Sequence, residues 1–166
     1  MRAPALLFAV VLAAPASAEE RATAATAEQA DFVLVDKSDR MLWLYAGGRV
    51  IRQYSGLQFG DQPAGHKQFE GDERTPEGRY TIDYGNPQSG YHLSLHISYP
   101  NAADRAYAAA QGRPPGGLIF IHGQPNALPD GRVEGDWTDG CIALSNAEIE
   151  ELWALVGDGT PIEIRP

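Results

Sequence analysis

One cysteine and one histidine stand out by type and spacing. His122 follows the apolar run Leu118-Ile119-Phe120-Ile121, and Cys141, the only cysteine, follows Gly140 within Trp137-Thr138-Asp139-Gly140-Cys141. Four residues of strand character deliver His122 to a sheet edge, and the glycine before Cys141 lets the backbone turn tightly around the thiol. The stretch between them carries Gly123, Pro125, Asn126, Pro129, Asp130, Gly131 and Gly135, so it is able to double back and bring the two side chains together. A thiol beside an imidazole is a nucleophile beside its base: the ring takes the proton and later returns it to a leaving amine. Backbone N–H groups around Gly140 and Cys141 would face the oxyanion, which makes acyl transfer the reaction class. A small apolar residue buried in a core is the competing reading of a lone cysteine, and the flanking Gly140 with the upstream His122 argues against it.

The flanking elements must position this pair. Phe32 to Val35, Met41 to Tyr45 and Val50 to Tyr54 read as three short strands joined by a turn at 37–40 and a Gly47-Gly48 hairpin. Residues 56–78 read as a long ordered surface loop, a solvated connection by default with the rim of the site as the alternative, leading into a strand from Arg79 to Tyr84. From Tyr91 to Tyr99 the chain alternates, with Tyr91, Leu93, Leu95, Ile97 and Tyr99 on a core face and His92, Ser94, His96 and Ser98 on a polar face suited to lining a cleft. On a strand the Cα atoms of His92 and His96 lie roughly 13 Å apart, too far to share one metal ion, and no metal site is expected. Asn101 caps a short helix running to Gln111. Ser145 with Glu148 makes a capping box ahead of the Ile149, Leu152, Trp153, Val156 stripe, and Pro161 to Ile164 forms a last strand. The fold class is mainly β, sandwich-like, with two short helices.

Residues 1–18 have Arg2 as their only charge, an apolar run from Ala5 to Ala14, and Ala16-Ser17-Ala18 ahead of an acidic pair. That is the pattern of a secretory signal peptide, and it implies export to the periplasm. The apolar run is shorter than the roughly 20 residues that span a bilayer, so no transmembrane segment is expected in the mature chain. Residues 19–30 read as a flexible lead-in and 31–166 as one catalytic domain. A net charge of −9 without a cluster of Lys or Arg excludes nucleic acid as a partner.

These residues resemble the YkuD-type L,D-transpeptidases, cysteine enzymes of peptidoglycan metabolism whose pattern is a His followed, after a loop of this length, by Ser/Thr-His-Gly-Cys. His122, Thr138, Gly140 and Cys141 match. Asp139 stands where the second His usually sits, and Ala143 where many members have Arg. The Arg74-Thr75-Pro76-Glu77-Gly78 turn and Ile97-Ser98-Tyr99-Pro100-Asn101 extend the likeness, which is greatest to the YafK-type branch. The resemblance implies Cys141, His122 and Gly140 as catalytic residues. Gly123, Thr138, Asp139, Arg74 and Tyr99 become the substrate-side candidates, with Arg74 or Arg132 in place of the missing Arg. It further implies peptidoglycan as partner and no cofactor. The reaction would be attack on the L-centre carbonyl of diaminopimelate, completed by transfer to an amine. Alternatives are hydrolysis of the same bond, releasing D-alanine or a peptidoglycan-linked outer-membrane lipoprotein, and a catalytically silent wall-binding module. A papain-like protease is disfavoured because its His follows its Cys.

Overall fold

The structure is a computed structural model that describes residues 28–128 and 131–166. The signal-peptide segment, most of the lead-in, and Pro129 with Asp130 lie outside the described residues. The elements run β1 (Phe32–Asp36), β2 (Met41–Ala46), β3 (Arg49–Ser55), β4 (Gly78–Asn86), β5 (Ser94–Ile97), α1 (Ala102–Ala110), β6 (Ile119–His122), β7 (Ile142–Ala143), α2 (Asn146–Leu155) and β8 (Thr160–Arg165). The strands join in one sheet of order β3-β2-β1-β8-β4-β5-β6-β7. Neighbours are antiparallel except β1 with β8 and β6 with β7. The mainly β class with two helices follows from the sequence pattern.

Local chemistry explains the elements. At the β2–β3 hairpin Gly47 and Gly48 both take positive φ, 56° and 78°, as a two-residue turn matched to strand twist requires. Both helices start with a full capping box, Asn101 with Asp104 and Ser145 with Glu148, which satisfies two otherwise orphaned backbone donors at each end. Period-two burial places Val33, Val35, Leu42, Leu44, Ile162 and Ile164 in the core, and Ile149 and Leu152 of α2 pack on the same face. Each such side chain contributes about 1.5–3 kcal/mol on burial.

The alternation from Tyr91 to Tyr99 holds only in part. Leu95, Ile97 and Tyr99 are buried, but β5 begins at Ser94 because His92 takes a left-handed backbone, φ 68°, which breaks the pleat. Tyr91 is thereby released from the core face to the surface. The 56–78 loop is ordered by two buried ammonium groups: Lys37 Nζ reaches Glu77 Oε1 and the Gly65 carbonyl, both at 2.7 Å, and Lys67 Nζ reaches Asp72 Oδ1 at 2.9 Å.

Candidate active site

On β6 the core takes Ile119 and Ile121, so Phe120 and His122 project from the opposite face. Register then builds the site. Across β4, β5 and β6 the partners Asn86, Ser94 and His122 form one row, and Tyr84, His96 and Phe120 form the next. Parallel pairing of β7 with β6 sets Ala143 beside His122, and two residues earlier Cys141 comes beside Phe120, whose N–H points at Sγ, 3.4 Å away. Cys141 and His122 therefore lie in adjacent rows of one face, with Cα atoms roughly 8 Å apart.

Parallel neighbours cannot be joined by a tight turn. Here the connection is an irregular crossover from Gly123 to Cys141, held from within. Gln124, fully buried, donates from Nε2 to Leu144 O (2.6 Å) and Gln58 Oε1 (3.1 Å), while its Oε1 accepts from Val133 N (2.9 Å). Arg40 grips Asp136 through two 2.7 Å contacts, and Trp137 N and Thr138 N both donate to Phe59 O. Gly140 has φ 120°, and a Cβ there would stand 2.4 Å from the Arg74 carbonyl oxygen, so only glycine fits the turn before the thiol. Thr138 Oγ1 locks that turn, donating to Cys141 O at 2.8 Å and accepting from Gly140 N at 3.2 Å.

His122 is 3% exposed. Its Nδ1 lies 2.7 Å from Gly123 O, and since a carbonyl only accepts, Nδ1 carries the hydrogen and Nε2 the lone pair. Tyr91 and Trp137 wall the ring, with centroids 4.7 and 5.5 Å away. Burial pushes the imidazole below its ordinary range, against the opposing pull of the Gly123 carbonyl. Burial likewise pushes the Cys141 thiol up; the Phe120 N–H opposes this and the Asp139 carboxylate adds to it. The thiol points its hydrogen toward Leu118 O, 3.7 Å away. At neutral pH the pair rests uncharged.

Cys141 and His122 open on a cavity of about 460 Å³. Thr138 and Asp139 also line it, as do Tyr91, Trp137, Phe120, Leu118, Asn86 and Ser94. Asp139 and Leu118 also face a second cavity, of about 680 Å³, bordered by Glu70 and Glu73. The other candidates lie elsewhere. Gly123 holds His122 through its carbonyl and is packed so closely that a Cβ would stand 2.6 Å from Asn146 Oδ1. Tyr99 is in the core, its hydroxyl donating to Pro115 O at 2.9 Å. The Arg74 guanidinium lies against Gly65, and Arg132 donates to Gly56 O, so neither replaces the missing Arg in this cavity. His92 and His96 face separate carboxylates, Glu150 and Asp83. Tyr91 and Trp137 were not legible as the walls of the His122 ring; the aromatic beside the broken strand pattern and the tryptophan opening the cysteine motif were the only signals.

A family model described as YkuD, L,D-transpeptidase catalytic domain, matches residues 30–164. YafK of Escherichia coli K12 is 32% identical over 136 residues, covering 75% of this chain and 46% of its own length, so the chain spans about half the length of the curated relatives it matches. Among solved structures, the helical cell shape determining protein Pgp2 of Campylobacter jejuni superposes with TM-score 0.65 at 30% identity, covering 83% of this chain and 48% of that one. Bd1075 of Bdellovibrio bacteriovorus gives 0.56 at 26%, covering 85% and 49%. With the cysteine, the histidine and the crossover between them set in this sheet, the chain belongs to the YkuD family of L,D-transpeptidase catalytic domains.

Proposed function

We propose that this domain is a cysteine acyl-transfer enzyme acting on peptidoglycan stems at the L-centre carbonyl of diaminopimelate, exported under the direction of residues 1–18. The observation that carries the reading is the locked imidazole: with Nδ1–H held on Gly123 O, Nε2 is the only ring atom able to take a proton, and it shares a cavity with Sγ. Attack forms the Sγ–C bond as the thiol proton passes to Nε2. The tetrahedral intermediate collapses by breaking the C–N bond, and the same proton moves from Nε2 to the departing amine. An amine or water then attacks the thioester, giving its proton to Nε2, and the thiol is regenerated when Sγ leaves. Gly140 N–H is engaged by Thr138 Oγ1, so we assign the oxyanion contact from this turn to Cys141 N–H and to Gly140 the role of shaping it.

A hydrolytic outcome is favoured by one observation. Asp139 is the only charged side chain lining the catalytic cavity among the described residues. A D-alanine leaving group carries a carboxylate next to the scissile amide and finds no cation there, whereas a lysine side-chain amide linking a lipoprotein carries none. The test is mass spectrometry of products after wild-type and Cys141→Ala proteins are incubated with sacculi bearing attached lipoprotein. New diaminopimelate-to-diaminopimelate cross-links made only by the wild type identify a transpeptidase. Release of lipoprotein or D-alanine without cross-links identifies a hydrolase. Identical products from both proteins would overturn catalysis and leave a wall-binding module.

A further inference from the structure

The row of side chains that ends at Cys141 has a second part that the acyl-transfer chemistry does not use. A β-bulge between Ile82 and Tyr84 puts two residues of β4 against one step of β5, turning Tyr84 onto the outer face directly opposite His96. The Tyr84 and His96 rings lie flat on each other, with centroids 4.5 Å apart and planes at 17°, and Phe120 stands on edge to both at 83° and 67°. Asp83, the bulged residue, fixes the imidazole by a 2.6 Å contact to Nδ1. Tyr84 remains 42% exposed, as does the Asp83 side chain. A sheet needs no such corner for its own packing: the core lies on the other face, where Trp153 packs against Gly85.

We propose that this aromatic corner is a saccharide subsite that holds the glycan unit from which the reacting stem hangs; the assignment rests on the peptidoglycan reading of Cys141. Three observations point to a sugar. The corner is continuous with the catalytic cavity through Phe120, which belongs to both. Its chemistry suits a pyranose, whose C–H face is electropositive and packs on the negative face of an exposed ring, while the half-exposed Asp83 carboxylate accepts hydroxyl hydrogens at the margin. The reach also fits. Three strand spacings from Cys141 to Tyr84 cover about 14 Å. Diaminopimelate and the two stem residues before it extend about 10 Å, and the γ-linkage of the glutamate with the lactyl ether of the sugar makes up the rest.

The Cys141→Ala protein, which cannot turn over, is titrated calorimetrically with a disaccharide-tetrapeptide and with the sugar-free tetrapeptide. The sugar-bearing ligand is expected to bind about tenfold more tightly, the order of one good ring-stacking contact. Adding Tyr84→Ala should abolish that advantage without weakening the free peptide, and Tyr84→Phe, which keeps the ring, should retain it. Equal affinities, an advantage that survives Tyr84→Ala, or equal weakening of both ligands would each overturn the subsite. Wild-type turnover of sacculi bearing attached lipoprotein, against Cys141→Ala, reports the acyl-transfer reading separately. Turnover without a sugar advantage overturns the subsite alone; a sugar advantage without turnover overturns the acyl-transfer reading alone.

Discussion

Cys141 and His122 rest as a neutral pair, and Asp139 is one of the groups that keeps the thiol so. Removing its charge lowers the thiol pKa, since a nearby anion opposes thiolate formation. Alkylation by iodoacetamide followed against pH should show its inflection move downward in Asp139→Asn; an unmoved inflection would remove Asp139 from the electrostatics of the site. Type and spacing single out Cys141, His122 and Gly140 as candidates, because each is what acyl-transfer chemistry or backbone geometry would demand. They were not enough for Tyr91, which the alternating pattern assigned to the core. A single left-handed residue, His92, reverses that assignment, and nothing in the pattern marks it. The placement of Tyr99 in the core and of the Arg74 guanidinium against Gly65 was hidden for a related reason: a motif says which residues recur together, not which way a side chain leaves the backbone.

The crossover from Gly123 to Cys141 determines whether those residues meet. Its anchors are polar and internal, so Gln124→Ala should cost about 2–4 kcal/mol in denaturant unfolding, because it strips partners from Gln58, Leu144 O and Val133 N together. Limited proteolysis should then cut first within residues 125–136. Gly140→Ala forces a Cβ against a backbone oxygen at a φ that L-residues avoid, and a loss of about 3 kcal/mol with collapse of kcat is expected, read by thermal melting beside a turnover assay. Helix starts were readable because capping boxes are local in sequence. The sheet neighbours of β6 were not, since pairing between strands far apart in the chain leaves no local mark. The bulge that turns Tyr84 outward escaped for the same reason.

For the molecule as a whole, acid should act in two stages. Burial holds His122 below its unfolded pKa, so the unfolded chain binds the extra proton; stability is full above about pH 6.5 and falls as pH drops from there through the folded value. The Arg40 guanidinium holds Asp136 below the usual carboxylate range, and that contribution is present above about pH 3.9 and lost as pH falls through the folded value. Urea midpoints measured from pH 8 to pH 3 should show both losses, and His122→Gln should flatten only the first. The family and the mainly β class with two helices were legible from motif and pattern, whereas the order of strands had to be seen. That order has a kinetic consequence. Strand β8 lies between β1 and β4, so within the sheet of the described residues it alone joins the meander β1–β3 to the half β4–β7 that carries His122. During synthesis, both half-sheets would wait with an open edge until Thr160–Arg165 emerges. Folding is then governed by a late, long-range closure, slow by the measure of contact order and exposed to wrong pairing while it waits.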